Sequence, residues 1–191
     1  MKDETYERVT GHSLDWWVDF LGDRGGRELE HGQLVELALR QMREGTTTVE
    51  RPEWYAQSVA VHFERAIGRR EVGQRCDGKF AATASKTVTG TMDDTLQAWA
   101  EFAENLVESG SLAGLTEGEP RTSQSEKWRY WKVDMANGSR VSVNISTKPA
   151  GKDGATKSSL AVNHERLASK ASADEWKGVW KEALTDFAQT R

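Results

Sequence analysis

Four histidines, one cysteine and eight tryptophans are the residues whose types could define a function in this chain. His12, His31, His62 and His164 fall in separate segments, and no His-x-x-x-His or Cys-x-x-Cys spacing marks a metal site. His164 is in phase with Leu160 and Val162 at the end of a predicted strand. That phase would turn its ring toward a cavity, where it could act as a base; the same position equally suits a histidine at a sheet rim with no catalytic partner. Cys76 lies between Arg75 and Asp77. A cationic neighbour lowers a thiol's pKa, but a lone cysteine in a connecting segment has no second group to complete a nucleophilic site. Gly22, Gly25 and Gly26 follow a helical pattern and read as a stop signal, not a phosphate loop. No catalytic residue, metal set or cofactor motif emerges, and the chain reads as a binder before an enzyme.

Elements must position whatever these residues do. Ser13 is placed to cap LDWWVDFLG, whose Leu14, Trp17, Val18 and Leu21 share one helical face. A second helix is predicted from about Gly32 to Arg43, with Leu34, Leu37, Ala38 and Met42 in a stripe and Gly45 beyond its end. Thr46, Thr47 and Thr48 read as a turn. Pro52 and Glu53 suit the first turn of a third helix, which puts Tyr55, Val59, Phe63 and Ile67 on one side and stops at Gly68. These helices make a module over 1–68, and the charged, glycine-punctuated segment 69–78 reads as a linker.

Beyond it the period changes from 3.6 to 2, and 79–88 is predicted as a strand. Thr91 and Asp94 have the spacing of a helix cap, ahead of a helix burying Leu96, Trp99, Phe102 and Leu106. Residues 108–126 carry Gly, Ser, Thr and Glu without a period and read as a mobile loop with at most one short irregular element. WRYWKVDM and RVSVNIST alternate around Asn137-Gly138, a dipeptide that favours tight hairpin turns. After the turn PAGKDGA, SSLAVNHE makes the third strand of a meander. Ser172 and Glu175 have capping-box spacing before a last helix striped with Trp176, Trp180, Leu184 and Phe187. The expected fold is α+β: an N-terminal three-helix module, then a domain over 79–191 with an antiparallel sheet packed on a long C-terminal helix.

Composition narrows the function. A formal charge of −4 and a pI near 5.7 give no general attraction to nucleic acid or anionic membrane. One cysteine permits no internal disulfide and suits a reducing compartment. MKDETYERVTGH has no apolar stretch of the signal-peptide kind, and no run approaches the roughly 18 apolar residues of a membrane span. The expected location is cytoplasmic.

SKTVTGTMDDTLQAWAE (85–101), DMANGSRVSVNI (134–145) and DEWKGVWKEALTDF (174–187) together resemble the START-like (SRPBCC) superfamily, near the activator-of-chaperone-ATPase homologues. HSLDWWVDFLGDRGG and WYAQSVAVHFERAIGRREVGQR (54–75) resemble an uncharacterised helical domain often found ahead of such domains. The resemblance implies a helix-grip fold, a curved antiparallel sheet around a long C-terminal helix with a cavity between, and it brings no catalytic signature or cofactor. The domain here is shorter than usual, with the deficit around 108–126. If the meander faces the last helix, Trp131, Val133, Val141, Val143, Leu160, Val162, Trp180 and Leu184 line the space between them, and Trp99 and Phe102 close one side. Such a wall would hold a small apolar or amphipathic molecule; the same side chains would equally fill a solid core.

Two macromolecular readings stand beside this one. The second and third helices have the outline of a helix-turn-helix, with Glu53, Gln57, Ser58 and His62 toward a groove and Arg65, Arg69 and Arg70 on phosphates. Against nucleic acid, residues 1–75 hold 11 basic and 14 acidic side chains. A protein partner or a homodimer would find Trp128 and Tyr130 on the outer sheet face. Trp16, Trp17 and Trp54 would anchor the helical module on the second domain.

Overall fold

A computed structural model of the protein describes residues 3–45, 49–108, 110–149 and 154–190. The predicted Thr46–Thr48 turn and most of PAGKDGA lie outside those residues. The chain divides into two compact units, Met1–Val72 and Gly73–Arg191.

Among the described residues the first unit holds four helices: α1 (Asp3–Thr10), α2 (Leu14–Gly22), α3 (His31–Glu44) and α4 (Pro52–Ala66). Three match the predicted helices. The fourth, α1, is short and half charged, and what seats it is tertiary: Tyr6 is buried and its hydroxyl bonds that of Ser58 on α4. Ser13 caps α2 by accepting from the Trp16 N–H at 3.2 Å. Glu30 and Gln33 cap α3 reciprocally. Trp17, Leu21, Leu34, Ala38, Val59 and Phe63 form the unit's core. Gly26 is needed for contact: a Cβ there would stand 2.6 Å from the Leu21 carbonyl oxygen and 2.9 Å from the Phe63 ring.

The second unit runs β1 (Phe80–Thr89), α5 (Met92–Glu108), β2 (Thr116–Gln124), β3 (Arg129–Met135), β4 (Arg140–Lys148), β5 (Lys157–Leu167) and α6 (Lys170–Gln189). The strands form one antiparallel sheet in the order β1-β5-β4-β3-β2. The α+β architecture is therefore as expected, N-terminal helices followed by an antiparallel sheet packed against a long last helix.

Alternation decides the faces. Trp131, Val133 and Met135 on β3, Val141, Val143 and Ile145 on β4, and Leu160, Val162 and His164 on β5 are all buried. Trp99 and Ala103 of α5 and Trp180, Ala183, Leu184 and Phe187 of α6 belong to the same cluster, so both helices cover one face. The other face is small and polar; the register sets Ser85, Ala161, Asn144, Tyr130 and Ser123 in one row across the five strands.

Two local readings need correction. The stretch read as a mobile loop contains β2, a nine-residue edge strand. TEGEPRTSQ carries no alternation because an edge strand is half solvated, and its register shifts between Glu117 and Arg121, around Pro120, where a proline can sit without a ladder hydrogen bond. The last helix starts at Lys170, not after Ser172: Ser169 is the N-cap and accepts from the Ser172 N–H at 3.1 Å. The Thr91–Asp94 cap forms as expected, with Asp94 N–H donating to Thr91 Oγ1 at 3.2 Å and Thr91 N–H to Asp94 Oδ2 at 3.3 Å. In the β3–β4 turn Gly138 alone takes a positive φ, +79°, as in a three-residue loop closed by a glycine bulge.

Candidate functional site

The space between sheet and helices is where the ten predicted binding residues converge. Trp99, Trp131, Val133, Val141, Val143, Leu160, Val162, Trp180 and Leu184 are each at most 2% exposed, while Phe102 is half-buried at the edge. They pack on one another. Trp99 is the hub, edge-on to Trp131 at 6.1 Å and to Phe187 at 5.3 Å between ring centroids. These perpendicular rings are the favoured aromatic geometry. An open depression of about 540 Å³ lies beside α6, lined in part by Ala84, Ala161, Val162 and Lys181.

Two polar atoms in this interior have no partner. Trp99 Nε1 and Thr95 Oγ1 are buried without a hydrogen bond among the described residues. Thr95 precedes Trp99 by one helical turn, so both share the inward face of α5. Leaving a buried donor or hydroxyl unsatisfied costs about 1–3 kcal/mol each. The helix that carries them is held at its start by a bidentate ion pair: Arg129 Nε and Nη2 lie 2.5 Å and 3.1 Å from the two carboxylate oxygens of Asp93. Thr95 was legible in the sequence only as an i, i+4 neighbour of Trp99. Nothing local distinguishes a buried threonine from a solvated one.

His164 sits on the same face, fully buried. Trp180 Nε1–H donates to its Nδ1 at 3.2 Å, so the ring proton is on Nε2 and is donated to Ser139 Oγ at 2.8 Å. Ser139 Oγ–H in turn donates to Asn137 Oδ1 at 2.7 Å. Burial pushes the His164 pKa down from 6.5 to about 4. The imidazole therefore has both nitrogens engaged. The hydrogen bonds run away from a nucleophilic serine, because the Ser139 proton points to Asn137 and not to the histidine.

No family model and no curated protein matches the chain. Among solved structures, it is similar to the Mll3558 protein of Rhizobium loti at 12% identity and a TM-score of 0.29, over 56% of this chain and 95% of that one. It is likewise similar to an uncharacterized protein of Rhizobium leguminosarum at 9% identity and a TM-score of 0.29, over 59% and 99% of the two chains. TM-scores this low do not establish a shared fold.

Five of the residues proposed to meet nucleic acid, Glu53, Gln57, Ser58, Arg69 and Arg70, are engaged within the first unit. Glu64 is only 4% exposed, and its carboxylate gathers three cations or potential cations. His31 Nδ1 and Arg69 Nη2 each lie 3.1 Å from Oε1, and Arg70 Nε lies 2.9 Å from Oε2, an ion pair too poorly aligned to count as a hydrogen bond. His31 Nε2 bonds Gln57 Oε1 at 2.9 Å, Ser58 bonds Tyr6, and Glu53 pairs with Arg43 at 2.8 Å. Arg65 is exposed. Segment 69–78 is accordingly tied down at both ends, since Arg75 pairs with Glu165 at 2.6 Å. Trp17 is buried in its own unit's core, Trp16 is half-buried and stacked between His12 and Phe20, and Trp54 is 49% exposed. Trp128 is 40% exposed in the β2–β3 turn, and Tyr130 is half-buried on the outer face beside Lys132. Cys76 is free and exposed.

Proposed function

We propose that the second unit is a binding domain that takes a small, mostly apolar molecule between α5 and the sheet and carries out no reaction on it. The observation that carries this reading is the unpartnered pair, Trp99 Nε1 and Thr95 Oγ1, inside an otherwise apolar interior. Native interiors answer nearly all buried polar groups. Perpendicular rings near Trp99 offer its N–H a π face, but that is a weak acceptor and leaves Thr95 unanswered. An antiparallel sheet packed against a long last helix also supports the START-like resemblance.

The interior is packed, so binding requires one wall to yield. α5 is that wall. It buries three residues against the five of α6. Its tether, Asp93–Arg129, has an aspartate 67% exposed, so solvent and salt screen the pair.

A screen of apolar and amphipathic compounds, read by thermal unfolding and by hydrogen exchange, tests the reading. A ligand at 100 times its dissociation constant adds about 2.7 kcal/mol, a shift of several degrees, and exchange along Met92–Glu108 should slow. A flat screen with α5 exchange unchanged would retire the binding function.

A further inference from the structure

We propose that the group recognised in this interior is one uncharged oxygen, a hydroxyl or a carbonyl, on an otherwise apolar molecule, held by Trp99 Nε1 and Thr95 Oγ1. The inference rests on the binding function proposed above and specifies its ligand class.

The donor inventory sets the first constraint. An indole N–H donates and never accepts, so whatever faces Trp99 must be an acceptor. A threonine hydroxyl does both. It can give its proton to a carbonyl oxygen that also receives the indole N–H, or take the proton of a ligand hydroxyl. One oxygen therefore answers both atoms, one turn apart on α5. A hydrocarbon would leave both as they are.

Charge sets the second. The described buried polar residues of Gly73–Arg191 are Thr95, Ser139, Ser158 and His164, with no Lys, Arg, Asp or Glu among them. Ser158 Oγ donates to the Gly90 carbonyl at 2.9 Å, and Ser139, His164 and Trp180 satisfy one another. A carboxylate or ammonium brought into this space would shed its hydration and meet no counter-charge, a cost larger than one or two hydrogen bonds return. The guanidinium nearest the start of α5, Arg129, is already held by Asp93. The interior thus selects against fatty acids and alkylamines as firmly as it selects for an alcohol or a ketone.

A chain-matched series tests this on the full protein at neutral pH: decanol, methyl octyl ketone, decane, decanoate and decylamine, titrated by tryptophan fluorescence and checked by calorimetry. Decanol and the ketone should bind on the order of tenfold tighter than decane, with decanoate and decylamine weakest. Thr95→Val, which keeps shape and removes the hydroxyl, should flatten the preference of decanol over decane, and Thr95→Ser should keep it. Decanoate matching decanol, or a preference that survives in Thr95→Val, overturns the ligand class while binding itself stands. If none of the five binds, the binding function falls with it, and the two orphaned atoms are answered by nothing more than a buried water.

Discussion

His164 is a core residue that remains titratable, and this gives the protein a measurable acid sensitivity. Its pKa is lowered from 6.5 to about 4 by burial, so between those values the unfolded chain takes up a proton that the folded one refuses. The stabilisation is present above pH 6.5 and is lost as pH falls toward 4, by about 3 kcal/mol in all. Protonation would also put a second N–H opposite the Trp180 donor. His164→Gln keeps an acceptor for Trp180 and a donor for Ser139, so its denaturation midpoint should depend less steeply on acid than the parent's; equal slopes would remove His164 as the cause. Thr95 gives a prediction of the opposite kind. Removing a hydroxyl with no partner should stabilise the ligand-free protein, and Thr95→Val should gain about 1–2 kcal/mol in denaturant titration. A loss would mean that the hydroxyl is already satisfied.

Among the elements, α3 and α4 are joined by the Glu64 cluster. It closes the end of α4, where the backbone N–H groups of Arg69 and Arg70 both donate to the Glu64 carbonyl at 2.8 Å and 3.2 Å. Arg69 Nη1 reaches the Leu29 carbonyl ahead of α3 at 2.7 Å. Removing the carboxylate charge leaves Arg70 nearly buried and unpaired, so Glu64→Gln should cost about 3 kcal/mol, read as faster hydrogen exchange along both helices. A cost below about 0.5 kcal/mol, the range of ordinary surface substitutions, would mean that the arginines find water instead. The same geometry gives two of the three clustered arginines, Arg69 and Arg70, a task within the unit: they neutralise a carboxylate from the preceding turn.

For the molecule as a whole, two separate hydrophobic cores correspond to the two units, one around Trp17, Leu34 and Phe63, the other around Trp99, Trp131 and Trp180. Each core is contiguous and draws on its own stretch of chain, which is the condition for a segment to fold alone. A fragment of residues 73–191 should therefore unfold cooperatively and keep the near-ultraviolet dichroism of its packed tryptophans. A fragment with helical signal but no such dichroism would be a molten state that depends on the first unit. Among the described residues no helix is long and apolar enough to cross a membrane.

Periodicity, caps and turn residues are local properties, and these the sequence determined by itself: α2, α3 and α4, the cap on α5, the β3–β4 hairpin around Gly138, and the inward face of each central strand. Elements whose formation depends on a distant partner were not legible. α1 needs Ser58 to receive Tyr6, and β2 needs β3 to supply its ladder, so neither carries a period of its own. Pairing was equally hidden. Sequence placed Trp99, Trp131 and Trp180 on inward faces, but only the tertiary structure set Trp180 on His164, gave Arg69 and Arg70 to Glu64, and left Thr95 and Trp99 without partners. A side chain's face follows from its neighbours in the chain; its hydrogen-bond partner is decided by how chain segments fold back on one another, which periodicity does not record.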